Sequence, residues 1–278
     1  MRTLPAAIHV IVLAAFLVMP LAACSSLATR YDIIAEGYGL TPGKITAKGF
    51  VLRTYRNAEA HSPEQSLNLY LDGDGRPWRS RTSISLNPTP RQPLMLELMA
   101  LDPQPSLYLG RPCYFGQEKA PGCSPLLWTS ARYSETVVAT MAAALEQIFR
   151  EEKIQKLNLI GYSGGGVIAW LIAERLPQVT RLVTIAANLD VRAWTEHHGY
   201  SPLAASLDPS ERQPLSAEIE HWHIIGTRDL QVPAKWLDDE TQPAIQNAHI
   251  MRINSDHRCC WKNYWTEILR RTVASTSY

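Results

Sequence analysis

Apolar and polar positions along this chain change period several times, and each change marks an element. Gly49-Phe50-Val51-Leu52-Arg53-Thr54-Tyr55 reads as a strand, and Asn57 to Gln65 as a polar loop. Leu67, Leu69 and Leu71 alternate with Asn68 and Tyr70, a two-residue period that stops at Asp72-Gly73-Asp74-Gly75. An irregular stretch runs on to Pro90. Leu94, Met95, Leu98 and Leu101 share one helical face closed by Asp102-Pro103, and Leu107-Tyr108-Leu109 is a further short strand. Ser134 is placed to cap a long helix carrying Val137, Val138, Met141, Leu145, Ile148 and Phe149 at helical spacing.

The second half repeats the alternation. Leu157 to Ile160 is a short apolar run, Gly161 to Gly166 a glycine-rich turn, and Val167 to Ala173 a long apolar run ending at Leu176-Pro177. Val179 to Leu189 reads as another strand, nearly all apolar toward its end, as expected where both sheet faces are covered. Val191 to Glu220 is polar and irregular. Trp222 to Ile225 and His249 to Ile253 are two more strands, and the closing helix presents Trp261, Tyr264, Trp265, Ile268 and Leu269. Strand and helix alternating in this way predict a mostly parallel α/β sheet with right-handed crossovers. No internal repeat and no domain-sized linker interrupts it.

The first residues do not fit that scheme. Arg2 supplies a small positive region, and Ala6 to Val18 is apolar apart from His9, too short to span a bilayer. Leu21-Ala22-Ala23-Cys24 resembles the bacterial lipobox, so residues 1–23 read as a signal peptide and Cys24 as the lipid-modified first residue of the mature chain. Acyl chains there anchor stably, each buried methylene contributing about 0.8 kcal/mol. In that pattern Ser25, rather than Asp, implies the outer membrane, facing the periplasm. Residues 24–46 read as a tether and lead-in, punctuated by Gly37, Gly39, Pro42 and Gly43, and residues 47–278 as one domain, of a size that supports a single α/β core.

Charge narrows the partners. The formal net charge of +1 and the absence of a basic run argue against nucleic acid. Of five cysteines, setting Cys24 aside leaves Cys113, Cys123, Cys259 and Cys260, an even set that in an exported protein argues for disulfides. Three pairings are possible. Cys113 with Cys123 closes a short loop, which leaves Cys259–Cys260 as a vicinal bridge. A zinc site is disfavoured because no two Cys-x-x-Cys units occur.

The chemistry centres on Gly161-Tyr162-Ser163-Gly164-Gly165. Gly-x-Ser-x-Gly between a strand and a helix is the setting of a nucleophile elbow, with Ser163 exposed above the sheet and the Gly164 N–H aimed at developing negative charge. A serine hydroxyl needs an imidazole to take its proton and a carboxylate to orient that imidazole. On such an elbow the order is serine, acid, histidine, each past the carboxyl end of a strand. Asp229, in Gly226-Thr227-Arg228-Asp229-Leu230-Gln231-Val232-Pro233, fits the acid. Of the histidines after it, His249 opens a strand, whereas His257 follows one, and His257 is therefore the candidate base.

Elbow, Gly-x-x-Asp-x-x-Val-Pro segment and late Asp-His together resemble the α/β-hydrolase superfamily over roughly Gly49 to the C-terminus. The resemblance implies an α/β-hydrolase fold: a mostly parallel central sheet, helices on both faces, and a small lid insertion at about residues 191–220. It supports Asp229 as the acid. Asp190, at the end of the preceding strand, is the rival that some lipases use, and reads also as a helix cap. Asp256 reads as a turn residue.

A second oxyanion donor is expected from the loop after Leu71. Many members have His-Gly there; this chain has Asp72-Gly73-Asp74-Gly75, so the Gly73 or the Asp74 amide is the candidate. Two carboxylates beside an oxyanion repel it unless they turn away or bind cations. Arg76 falls where a calcium loop needs oxygen, so no metal site is read here. Trp194, His197, His198 and Tyr200 either line a pocket or anchor the lid. These features point to a serine hydrolase acting on a small-molecule or lipid ester, cofactor-free, monomeric and held at the membrane by its anchor. An amidase or peptidase with the same residues, and a non-catalytic envelope lipoprotein, are the competing readings.

Overall fold

The computed structural model describes residues 26–57, 65–237 and 243–273. The signal peptide, Cys24 and any lipid on it lie outside these residues. The elements in chain order are α1 (Leu27–Gly37), β1 (Leu40–Ala47), β2 (Phe50–Asn57), β3 (Ser66–Leu71), α2 (Leu94–Met99), β4 (Ser106–Leu109), α3 (Glu135–Glu152), β5 (Lys156–Tyr162), α4 (Gly164–Ala173), β6 (Val179–Ile185), α5 (Val191–His198), β7 (Glu220–Gly226), β8 (His249–Ile253) and α6 (Trp261–Thr272). Single 3₁₀ turns punctuate the connections. Among the described residues no helix is long and apolar enough to cross a membrane.

The strands form one sheet in the order β1-β2-β4-β3-β5-β6-β7-β8. From β4 to β8 every neighbouring pair is parallel, and β1–β2 and β2–β4 are antiparallel. The parallel strands thus share a carboxyl edge, and the loops leaving β3 to β8 gather there. Both faces are covered, which explains why the central strands are apolar throughout. On one face Leu67, Leu69, Leu71, Leu157 and Leu159 pack with α3 and α4; on the other Tyr70, Tyr108 and Ile160 pack with α1, α2 and α6. Trp170 of α4 is fully buried and donates its indole N–H to the Ala244 carbonyl at 3.0 Å. Truncating such a side chain typically costs about 3–5 kcal/mol.

From Leu27 onward, the described part of the stretch expected to be a tether and lead-in forms α1 and β1 instead. Ser26 caps α1 by accepting from the Thr29 amide at 3.1 Å, and Tyr31 and Ala35, one turn apart, are buried. β1 follows, although it contains Pro42 and Gly43. It is the outermost strand, where a missing N–H and a missing side chain are tolerated. Two disulfides are present: Cys113–Cys123 closes the loop after β4, and Cys259 is joined to Cys260 at the start of α6.

Candidate active site

The turn from β5 to α4 carries Ser163 at φ 52°, ψ −125°, a conformation a side-chain-bearing residue adopts only under constraint, at a cost of about 1–3 kcal/mol. The constraint is visible. The Ser163 amide donates to Ile185 O at 2.8 Å, and the Gly166 amide donates back to Ser163 O at 2.9 Å. Gly165 allows the end of β3 to pass close by, since a Cβ there would lie 2.3 Å from Leu71 O and 2.5 Å from Asp72 O. At Gly164 a Cβ would fall 1.9 Å from Asp74 Oδ1. The spacing of glycines is therefore a packing requirement of this bend.

The structure brings Ser163, His257 and Asp229 together from three separate loops at the carboxyl edge. His257 Nε2 lies 3.1 Å from Ser163 Oγ, and His257 Nδ1 lies 2.8 Å from Asp229 Oδ2. Asp229 is buried, and its Oδ1 accepts from the Gln231 and Val232 amides, each at 2.8 Å, so the carboxylate is fixed before it meets the imidazole. His257 is held through its own carbonyl, which accepts from Tyr162 Oη at 2.6 Å and from the Trp261 indole at 3.1 Å. Asp256 accepts from the Arg258 and Cys259 amides, forming the turn that delivers His257.

Asp190 stands elsewhere. It caps α5 by accepting from the Ala193 amide at 2.8 Å. Trp194 Nε1 and His198 Nε2 both reach Gln231 O, at 3.0 and 2.8 Å, so these two side chains tie α5 to the loop bearing Asp229. His197 and Tyr200 complete an aromatic cluster with them and Trp236.

The Asp72–Gly75 turn runs alongside the elbow. The Gly73 amide, one of the two expected oxyanion donors, is engaged by Asp72 Oδ1 at 2.8 Å and is not free for a ligand. The Asp74 and Gly164 amides meet no acceptor among the described residues. The two carboxylates are dealt with differently. Asp74 accepts from Arg132 Nη1 at 2.7 Å, from Arg111 Nη2 at 2.9 Å and from Tyr133 Oη. Burial favours its protonation, but the two guanidiniums outweigh that and hold its pKa below the usual carboxylate range. Asp72 meets no guanidinium as closely: burial pushes its pKa up to about 7, against the Gly73 amide, the more distant Arg111 and the hydroxyls of Tyr108 and Tyr31.

Arg111, Arg132, Tyr133 and Tyr162 were not expected from the sequence. Arg111 and Arg132 lie far from Asp74 along the chain, with only the position of Arg111 just past β4 as a signal. Tyr162 is the unspecified middle residue of Gly-x-Ser. Among the described residues no group of three or more His, Cys, Asp or Glu side chains is arranged to hold a metal ion.

The comparisons agree on the architecture. The family profile described as "alpha/beta hydrolase fold" matches residues 112–206. The chain is similar in structure to a bacterial membrane phospholipase A described as a virulence factor, at 16% identity and a TM-score of 0.56, covering 96% of this chain and 98% of that one. It is also similar to an esterase from Pyrococcus furiosus (11% identity, TM-score 0.58, covering 84% and 91%). A proline iminopeptidase-related protein from Thermus thermophilus is similar to the same degree (12%, 0.58, covering 84% and 98%). Among curated proteins none matches the sequence. With its sheet order, its two helical layers and these likenesses, the chain has the α/β-hydrolase fold.

Proposed function

We propose that this protein is a serine hydrolase that cleaves esters through an acyl-enzyme. The observation that carries the reading is the unbroken run of contacts from Ser163 Oγ through the His257 ring to Asp229, at 3.1 and 2.8 Å. Ser163 attacks the carbonyl carbon while His257 Nε2 takes its proton, and Asp229 holds the tautomer and the imidazolium that forms. The Gly164 amide, at the N-terminus of α4, and the Asp74 amide stabilise the oxyanion. The imidazolium then protonates the leaving alkoxide, and a water activated by the same ring releases the acid.

Two further features support ester chemistry here. Asp74 is neutralised by two arginines, so its carboxylate does not oppose an oxyanion nearby. An esterase and a membrane phospholipase A are among the similar structures. Lipid modification at Cys24 and an envelope location belong to the same proposal, and Cys24→Ala is expected to make the protein extractable from the membrane fraction by high salt, which the acylated protein resists. The test of the activity is a panel of p-nitrophenyl esters of increasing acyl length beside matched anilides. Ester turnover that Ser163→Ala abolishes supports the reading; anilide turnover without ester turnover replaces it with an amidase, and no turnover by the folded chain counts against catalysis.

A further inference from the structure

Residues 76–88, expected to be irregular, form a small closed arm that leaves the Asp72–Gly75 turn and returns to it. The Arg76 amide donates to Pro88 O at 2.8 Å, the Ser85 amide to Pro77 O at 2.8 Å, and the Arg79 amide to Ser83 O at 2.7 Å, with Trp78 bridging Ile84. The arm is fastened to the loop after β4 by the Trp128 indole, which donates to Ser85 O at 3.1 Å. Its tip is Arg79-Ser80-Arg81, exposed throughout, and it carries no carboxylate.

Charge and exposure on this edge differ from the rest of the surface. Elsewhere arginines are mostly paired: Arg56 with Glu152, Arg175 with Glu135, Arg181 with Glu220, Arg270 and Arg271 with Glu267. Arg76, Arg79, Arg81 and Arg91 are exposed and make no ion pair among the described residues, and the same holds for Arg228 and Arg258 beside the candidate site. The described acids at this edge are few. Glu118, on the same loop as Leu126, accepts from the Gly116 amide at 3.1 Å, Glu196 stands on α5, and Asp256 is occupied by backbone amides; Asp238, Asp239 and Glu240 lie outside the described residues. Three leucines are also bare here: Leu86 on the arm, Leu126 beside its fastening point, and Leu230 next to Asp229, at 80%, 60% and 85% exposure. All three sit on loops leaving the carboxyl ends of parallel strands, as Ser163 does.

Single exposed leucines need no explanation. Three of them on one edge, set among unpaired arginines, match a surface that is anionic and has an apolar interior below its headgroups. We infer that the edge bearing Ser163 docks on an anionic lipid bilayer, with Arg79 and Arg81 at the headgroups and Leu86, Leu126 and Leu230 entering the acyl boundary. This presents ester bonds of membrane lipids to the site, a role that rests on the proposed hydrolase activity, whereas the docking itself does not.

The test measures partitioning of the full chain carrying Cys24→Ala, so that no acyl group contributes, onto vesicles of phosphatidylcholine alone and of phosphatidylcholine with phosphatidylglycerol. Binding is expected on the anionic vesicles, weakened by salt and nearly absent on the neutral ones. R79A/R81A is expected to lower it about 25-fold, each arginine near an anionic leaflet contributing roughly fivefold, and Leu86→Ser to lower it independently. Turnover of a soluble short-chain ester should be unchanged in both variants, and Ser163→Ala should bind vesicles like its parent, so failure of catalysis and failure of docking are read separately. Equal binding to both vesicle types, unaltered binding by R79A/R81A, or loss of binding in Ser163→Ala overturns the inference.

Discussion

The hydroxyl of Tyr162 donates to the main-chain carbonyl of His257 at 2.6 Å, and the two rings lie 5.3 Å apart. The residue before the candidate nucleophile thus grips the backbone of the candidate base, 95 positions later in the chain. Both ends of the Ser163–His257 contact are set by one rigid turn. Tyr162→Phe keeps the ring and removes the grip. We expect kcat to fall about 10- to 100-fold, the usual consequence of a misplacement near 1 Å, with KM little changed. Steady-state kinetics on an ester that the wild type turns over decides it; an unaltered kcat would show that Trp261 alone holds the loop.

Asp229 and Asp190 separate cleanly by substitution. Asp229→Asn is expected to reduce kcat by about 10⁴, because the imidazole loses the group that selects its tautomer. Asp190→Asn leaves a competent helix cap and should change activity hardly at all, while Asp190→Ala costs about 1 kcal/mol of stability. Activity and denaturant midpoints measured on all three variants distinguish the roles. Loss of activity in Asp190→Asn with Asp229→Asn active would exchange them.

The Asp72 carboxyl makes stability depend on pH. Its pKa rises from an ordinary 3.8 to about 7 on folding, so the folded state binds the proton more tightly. The stability this confers is present below about pH 4 and is lost as pH rises through about 7, by at most about 4 kcal/mol at 1.36 kcal/mol per unit. Asp72→Asn keeps an acceptor for the Gly73 amide without the titration. Its stability relative to wild type should therefore grow between pH 5 and pH 8. Urea melts across that range, showing a constant difference instead, would contradict the assignment.

Asp74 behaves in the opposite sense, and its arginines are not interchangeable with surface ones. Arg132→Ala leaves a buried carboxylate with half its neutralising charge and is expected to destabilise the protein by about 3–5 kcal/mol. Because Asp74 also packs against Gly164, ester turnover should fall in Arg132→Ala even below its melting range. Thermal melts and kinetics on the same preparation test both parts.

Much of this arrangement was legible in the residues. Gly161, Gly164 and Gly165 announce a bend that tolerates no Cβ, and the order of Ser163, Asp229 and His257 along an α/β chain leaves few alternatives. What escaped was whatever depends on tertiary context. α1 was hidden by its short apolar stripe, with Tyr31 and Ala35 the buried positions, and β1 by Pro42, which only an edge strand accepts. The polar run after Val191 concealed α5, whose ends are set by Asp190 and the left-handed Gly199 rather than by hydrophobic period. The choice between Gly73 and Asp74 as a donor could not be read from the sequence, because it turns on where the Asp72 side chain points. The ion cluster around Asp74 draws on Arg111 and Arg132, both far along the chain from it, and no local pattern encodes it.

A fluorophosphonate transfers its phosphonyl group only to an activated serine. Incubating the folded chain with such a probe, digesting it and locating the adduct by mass spectrometry tests the activation of Ser163 by His257 directly. We expect one adduct, on the peptide holding Ser163, lost in Ser163→Ala and strongly slowed in His257→Ala. An unlabelled folded protein, or labelling of Ser163 at the same rate without His257, would contradict it.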